Sequence, residues 1–277
     1  KRNEVDLKET WAIEDLYKSD EDFYADIEKL AKMADDFKGK YQKIETGEDV
    51  YNSLEDYGEI VELAGLLGTF SGISKETDAT DDSMAKRDAK FGSEVSKIFA
   101  NLSFYDSALV KVDEKVLDEV AKAHPGYKYY LKRVKDTAKY LLDEKTEGVL
   151  AALAPTFDAP YKNYNDMRYG DMKFENIDHN GEEVVLNHNT FEEYLEGETD
   201  TELRRRAFDD YHKVLAAYQY ADGSVYNTLI QNEKIMADLR GYESVFHYLL
   251  ARQDVDFEVY ENHIDIIMEK LAPIMRK

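Results

Sequence analysis

The sequence predicts a mainly α protein, a multi-helix array with one small β-hairpin near residues 171–187. Three observations point there. Apolar residues recur at steps of three and four through most of the chain, the spacing that gives a helix one buried stripe. That pattern changes only around Asn180-Gly181, the dipeptide a two-residue hairpin turn favours. No internal repeat, linker or low-complexity tract interrupts it.

Taken in order, Ser19 with Asp22 opens a helix whose face is Phe23, Ile27, Leu30, Ala34 and Phe37, with Gly39 as its stop. Trp11 is expected to pack back on that face. A second helix carries Val50, Leu54, Tyr57, Ile60, Val61, Ala64 and Leu67. Gly65 and Gly68 cost helix propensity and so imply a close helix crossing. They do not make a phosphate loop, because no strand precedes them and no Gly-Lys-Ser/Thr follows. Residues 74–82 read as a polar loop; an EF-hand is excluded by ligand spacing and the missing closing Glu.

Helices follow on Phe91, Val95, Ile98 and Leu102, and on Val116, Leu117 and Val120. His124-Pro125-Gly126 breaks the chain. Tyr127, Tyr130, Leu131, Val134, Ala138 and Leu141 make the next helix, and a short one at 149–153 should stop before Pro155. Strands are expected at 172–178 and 182–187, joined by a type I′ turn. Thr190 with Glu193 then caps a short helix, and Thr199 with Glu202 forms a capping box for a long one. Its stripe runs through Leu203, Ala207, Tyr211, Val214, Leu215 and Tyr218, resumes at Val225, Leu229, Met236 and Leu239, and stops at Gly241. A last helix is capped by Asp256 and carries Val259, Tyr260, His263, Ile264, Ile267 and Leu271. The softest boundary lies near 188–200, which divides the chain into a helical lobe at 1–190 and a second region at 191–277.

With 277 residues, 43% of them hydrophobic, the chain can bury a sizeable core. Its 36 basic residues face 59 acidic ones, a net charge of −23. Such a surface repels nucleic acid and anionic membranes, which are excluded as main partners; it serves solubility or attracts cationic peptides. There is no cysteine, so there is no disulfide or thiol chemistry, which fits a reducing cytoplasm. No apolar run approaches the roughly 18 residues of a membrane helix, and no signal peptide is expected. The start at Lys1 without a Met, and Ile274 and Met275 close to the end, read as a cut chain.

The catalytic inventory is thin. None of the six His is followed by Glu, so H-E-x-x-H is absent, and none has a Glu three residues before it, as a di-iron site would need. Asp209 and His212 are expected to form a surface ion pair, and His263 to be a hydrogen-bonded core residue. Ser244 and His247 share a helix face but lack an elbow or oxyanion context. Arg204, Arg205 and Arg206 fit a solvated face paired with nearby acids. Arg240, Tyr242 and Ser244 cluster at a helix–turn–helix junction around Gly241, a place where side chains often line clefts.

The chain also resembles oligoendopeptidase F, zinc metallopeptidases related to thimet oligopeptidase. The resemblance rests on LRGYESVFHYLL at 239–250, the V-x-x-x-V-Y pattern at 255–260, LRRRAFDDYHKVLAAYQ at 203–219, TWAIEDLY at 10–17 and MRYGDMKFENI at 167–177, in that family's order. It implies the non-catalytic first half of such an enzyme, since the family's H-E-x-x-H lies further downstream than this chain reaches. On that reading 191–277 begins the peptidase domain, the chain walls one side of a cleft for oligopeptide substrates, and Arg240, Tyr242 and Tyr248 are cleft candidates. The missing C-terminal half would be its partner and would hold the zinc; this chain would bind none and be inactive alone. The alternative is a stand-alone acidic helical module that binds a protein partner. An open apolar face around Ile264, Ile267, Leu271 and Met275 would favour the first reading; a covered one would favour the second.

Overall fold

The computed structural model describes residues 5–77 and 81–276. It is mainly helical with one two-stranded antiparallel sheet, and it separates into two compact units, Lys1–Thr156 with Glu233–Lys277, and Phe157–Asn232.

In the first unit α1 (Asp20–Tyr41), α2 (Gly47–Thr77) and α3 (Asp82–Leu102) pack against one another in pairs. Ser19 caps α1, accepting from the Asp22 amide at 3.2 Å, and the expected stripe is buried. The helix does not stop at Gly39. It continues to Tyr41, whose ring packs on Phe37 and whose hydroxyl donates to Asp56 at 2.6 Å, and this burial outweighs the propensity cost of one glycine. Trp11 does not cover the stripe; it is 62% exposed. Tyr17 takes that place, 5.6 Å from the Phe23 ring and 5.1 Å from Phe70.

Helix α2 runs through Thr77, so the expected loop at 74–82 is helical at both of its described ends, and residues 78–80 lie outside the described residues. Ser74, expected in the loop, is buried with its hydroxyl bonded to the Phe70 carbonyl at 2.6 Å. Val61 is exposed rather than core. The glycine reading holds in part: a Cβ on Gly68 would meet the Phe91 ring of α3 at 3.6 Å, while Gly65 faces open space.

Next come α4 (Phe104–Val110), which periodicity did not mark, then α5 (Glu114–Ala123) and α6 (Lys128–Thr137). Phe104, Tyr105, Ala108 and Leu109 of α4 are buried, and the Tyr105 hydroxyl lies 2.9 Å from that of Ser53. A 3-10 turn at Pro125–Tyr127 makes the expected break. Helix α7 (Glu144–Asn165) contradicts the expected stop before Pro155: it passes through Pro155 and Pro160. Each proline removes one backbone donor and crowds the preceding turn, a cost that local rules treat as a stop but that one long helix can absorb.

In the second unit a π-helical turn at Asp166–Asp171 leads into β1 (Ile177–His179) and β2 (Glu182–Val184). Ile177 pairs with Val184 and His179 with Glu182. Asn180 and Gly181 have φ of 57° and 83°, the left-handed pair of a type I′ turn. The strands are shorter than expected because the Asn176 side chain bonds Glu183 and the Leu186 amide where a backbone ladder would continue.

The short α8 (His188–Thr190) is capped by Asn187, not Thr190: the two exchange side-chain and backbone hydrogen bonds at 2.9 Å. Likewise α9 (Thr201–Arg240) is capped by Asp200, which accepts from Glu202 and Leu203, while Thr199 bonds Glu198. Ile177, Leu186, Phe191, Leu195, Leu203, Ala207 and Tyr211 form this unit's core. Helices α10 (Val245–Arg252), α11 (Phe257–Lys270) and α12 (Ala272–Met275) complete the described chain. Asp256 stands before α11 but makes no side-chain cap bond.

Candidate functional site

The junction predicted around Gly241 is built by backbone chemistry. Gly241 takes φ +75°, its amide donates to the Asp238 carbonyl at 3.2 Å, and the Tyr242 amide donates to Ala237 at 2.9 Å. This is a Schellman stop, in which a left-handed residue satisfies two orphan carbonyls. The same device ends α10: the Asp254 amide donates to Ala251 and the Val255 amide to Leu250. There the left-handed residue is Asp254, φ 54°, so an L side chain carries the strain.

The turn aims Arg240 at the start of α7. Its guanidinium donates to both Glu147 oxygens, at 2.7 and 2.9 Å, and to the Tyr140 carbonyl at 3.2 Å. The two side chains are only 19% and 11% exposed. Burial pushes the Glu147 carboxyl up, but the bonds from Arg240 and from the Leu142 amide prevail and hold it below the usual carboxylate range. Tyr242 stacks on Tyr140, centroids 3.6 Å apart, and Tyr248 meets Tyr242 edge-on at 5.3 Å. Burial and the neighbouring Tyr140 raise the Tyr242 phenol above its ordinary value.

Beside this cluster lies an open cavity of about 390 Å³, lined by Lys139, Tyr140, His247, Leu250, Asp254 and Phe257 among others. Of the predicted residues Arg240, Tyr242 and Tyr248, none lines it. The first two touch its lining through Tyr140, and Tyr248, 9% exposed, packs behind Tyr242. Ser244 and His247 do come together, Oγ to Nδ1 at 2.8 Å, but Ser244 also accepts the His247 amide and is the cap of α10. Glu147 and Tyr140 are the partners that sequence reasoning missed. They lie about a hundred residues from Arg240, beyond any local spacing rule.

The other candidates disperse. His212 directs Nδ1 to the Phe208 carbonyl at 2.8 Å rather than to Asp209, since a helical carbonyl four residues back is already in reach. His263 is exposed, because α10 packs on α11 through Phe257 and Tyr260 at its start and leaves the following turns open. His188 is the buried one, between the Tyr211 hydroxyl at 2.9 Å and the Arg168 carbonyl at 3.1 Å. Arg206 reaches Asp210 at 3.7 Å and the Asp178 carbonyl at 2.7 Å, as a solvated, paired face should. Among the described residues no three His, Asp or Glu converge where they could hold a metal ion. No described helix is long and apolar enough to cross a membrane.

Comparison with known proteins adds a frame. The family model described as Oligopeptidase F matches residues 109–174. Oligopeptidase PepF of Bacillus subtilis is 23% identical over 99% of this chain and 42% of its own length. An oligoendopeptidase F homolog of Borreliella burgdorferi is 24% identical over 98% of this chain and 45% of its own. The crystal structure of oligoendopeptidase-F from Enterococcus faecium superposes with a TM-score of 0.79 at 21% identity, over 91% of this chain and 50% of that one, which speaks for the fold. The chain thus spans a little under half the length of the curated relatives it matches, and over nearly all of its own length it is similar to these oligopeptidases.

Proposed function

We propose that this chain is the non-catalytic N-terminal part of a cytoplasmic zinc oligoendopeptidase and forms one wall of the cleft that admits short peptides. The observation that carries the reading is the match to oligopeptidases along almost the whole chain but under half of theirs. The structure adds support on α11 and α12. Ile264, Ile267, Leu271 and Met275 are 41%, 41%, 49% and 80% exposed, a run of apolar surface that a self-sufficient acidic module would cover. Arg240, Tyr242 and Tyr248 would stiffen the turn behind the wall, and the region from 191 onward would begin the peptidase domain. The described residues do not fit a zinc site, because their histidines are engaged or exposed singly. Zinc, where bound, would activate water from residues outside them.

The test is to purify residues 1–277, measure zinc by mass spectrometry and assay a quenched fluorescent oligopeptide. Neither stoichiometric zinc nor cleavage is expected. Adding the remainder of the reading frame as a second chain should restore both, and H-E-x-x-H should appear in that remainder. Chelator-sensitive cleavage by residues 1–277 alone would overturn the assignment. A monomer indifferent to the second chain would favour the interaction-module reading.

A further inference from the structure

A second cavity, of about 260 Å³, opens between α2, α4 and α6. Its polar lining is Tyr57, Asp106, Tyr130, Arg133 and Thr137, over an aliphatic side that includes Leu141. At roughly 30 Å³ per liquid water it holds several waters or one small organic molecule. α4 places Asp106 there by helical geometry: Tyr105, Ser107, Ala108 and Leu109 take the buried face, which leaves Asp106 turned into the opening.

The lining is unusual for what it leaves unmade. Among the described residues, no hydrogen bond or ion pair holds the Asp106 carboxyl, the Arg133 guanidinium or the hydroxyls of Tyr57 and Tyr130. Asp106 and Arg133 share the cavity yet do not pair with each other. Burial and the nearby Glu147 raise the Asp106 carboxyl, against the pull of Arg240 and Arg133. The Tyr57 phenol is pushed up to about 12 by burial and by Asp106, and burial raises that of Tyr130 as well. Both phenols therefore stay protonated and can donate.

These features select a ligand by charge. A pure anion would be repelled by Asp106, with Glu147 behind it. A pure cation would be repelled by Arg133, with Arg240 behind it. A small molecule bearing an ammonium and a carboxylate satisfies both, and the phenols can add donors to its carboxylate or its amide oxygen. We propose that the cavity formed by Tyr57, Asp106, Tyr130 and Arg133 binds a small zwitterion with free amino and carboxyl ends, of the size of a dipeptide. The ammonium sits at Asp106 and the carboxylate at Arg133. This assignment stands whether or not the chain belongs to a peptidase, because it uses only groups in the first unit.

The experiment titrates residues 1–277, by calorimetry or protein-observed NMR, with alanylleucine, its N-acetyl form and its C-terminal amide. The free dipeptide should bind saturably, and blocking either end should weaken it by about tenfold or more. Asp106→Asn and Arg133→Gln should each cost a similar factor, and Lys97→Gln, on the exposed side of α3, should cost nothing. Absence of saturable binding by the free dipeptide, or equal binding of all three ligands, overturns the proposal. So does an Asp106→Asn variant that binds normally. The comparison of three ligands on the unaltered chain stands even if a variant fails to fold. NMR shifts confined to the cavity lined by Tyr140 and His247 would also count against the site.

Discussion

Arg240 and Glu147 are each costly alone and tolerable together. Replacing Glu147 with Gln leaves a largely buried guanidinium without its counter-ion, and the expected loss is about 3 kcal/mol in urea denaturation. Arg240→Met should cost a similar amount. The double variant should recover about 1 kcal/mol of the sum, because neither charge is then stranded. Since the folded carboxyl titrates below its ordinary value of 4.5, its contribution is complete above that pH and is lost as pH falls through the folded value. The gap between the native chain and Glu147→Gln should therefore shrink in acid. His188 works in the same direction for a different reason. Burial, with Arg168 nearby, holds the imidazole below its usual 6.5, so it is neutral in the fold and the unfolded chain takes the proton first. The aromatic packing of Phe174, Phe191 and Tyr211 should be steady at neutral pH and loosen below about 6.5, read by near-ultraviolet circular dichroism, with His188→Gln flattening that dependence. At this scale the sequence was only partly legible. The Arg240–Tyr242 junction was visible through its glycine. Its acid partner was not, because which carboxylate meets a guanidinium is settled by two helices crossing, not by spacing along either one.

Elements were more legible than their ends. Periodicity located α1, α2, α3, α5, α6 and the 40-residue α9, because burying one face is what makes each helix stable. It missed α4, whose seven residues are too few to show a period. Caps slipped by one to three residues where adjacent polar side chains compete: Asp200 and Asn187 won over Thr199 and Thr190 by reaching the first free amides. Two glycines of the α9 region give opposite expectations. Gly223 lies inside the helix with open space around it, so Gly223→Ala should add about 1 kcal/mol of stability. Gly241 sits at φ +75°, so Gly241→Ala should cost about 1 kcal/mol. Chemical denaturation of both variants checks the pair, and like signs would contradict a left-handed stop at Gly241.

Across the whole molecule the apolar face of α11 should govern behaviour in solution. It is expected to make residues 1–277 self-associate, with light scattering rising with concentration. Ile264→Lys with Ile267→Lys should suppress that association and leave the helical signal unchanged, since neither side chain contributes to the described core. A variant that stays associated would move the sticky surface elsewhere. Fold class and hairpin were open to sequence reading because both rest on local patterns. The two compact units were not, because the first is assembled from segments on either side of the second.

That discontinuity gives the first unit a schedule. Glu147 leaves the ribosome 93 residues ahead of the arginine that pairs with it. At roughly 5–20 residues per second the carboxylate waits on the order of 5–20 seconds for its partner. In that interval α1 to α6 can settle on one another, since their shared core needs nothing downstream. The start of α7, however, keeps a charged and solvated side chain. Arrival of the α9 turn buries both charges in one event, so a segment made after the second unit is the one that closes the first.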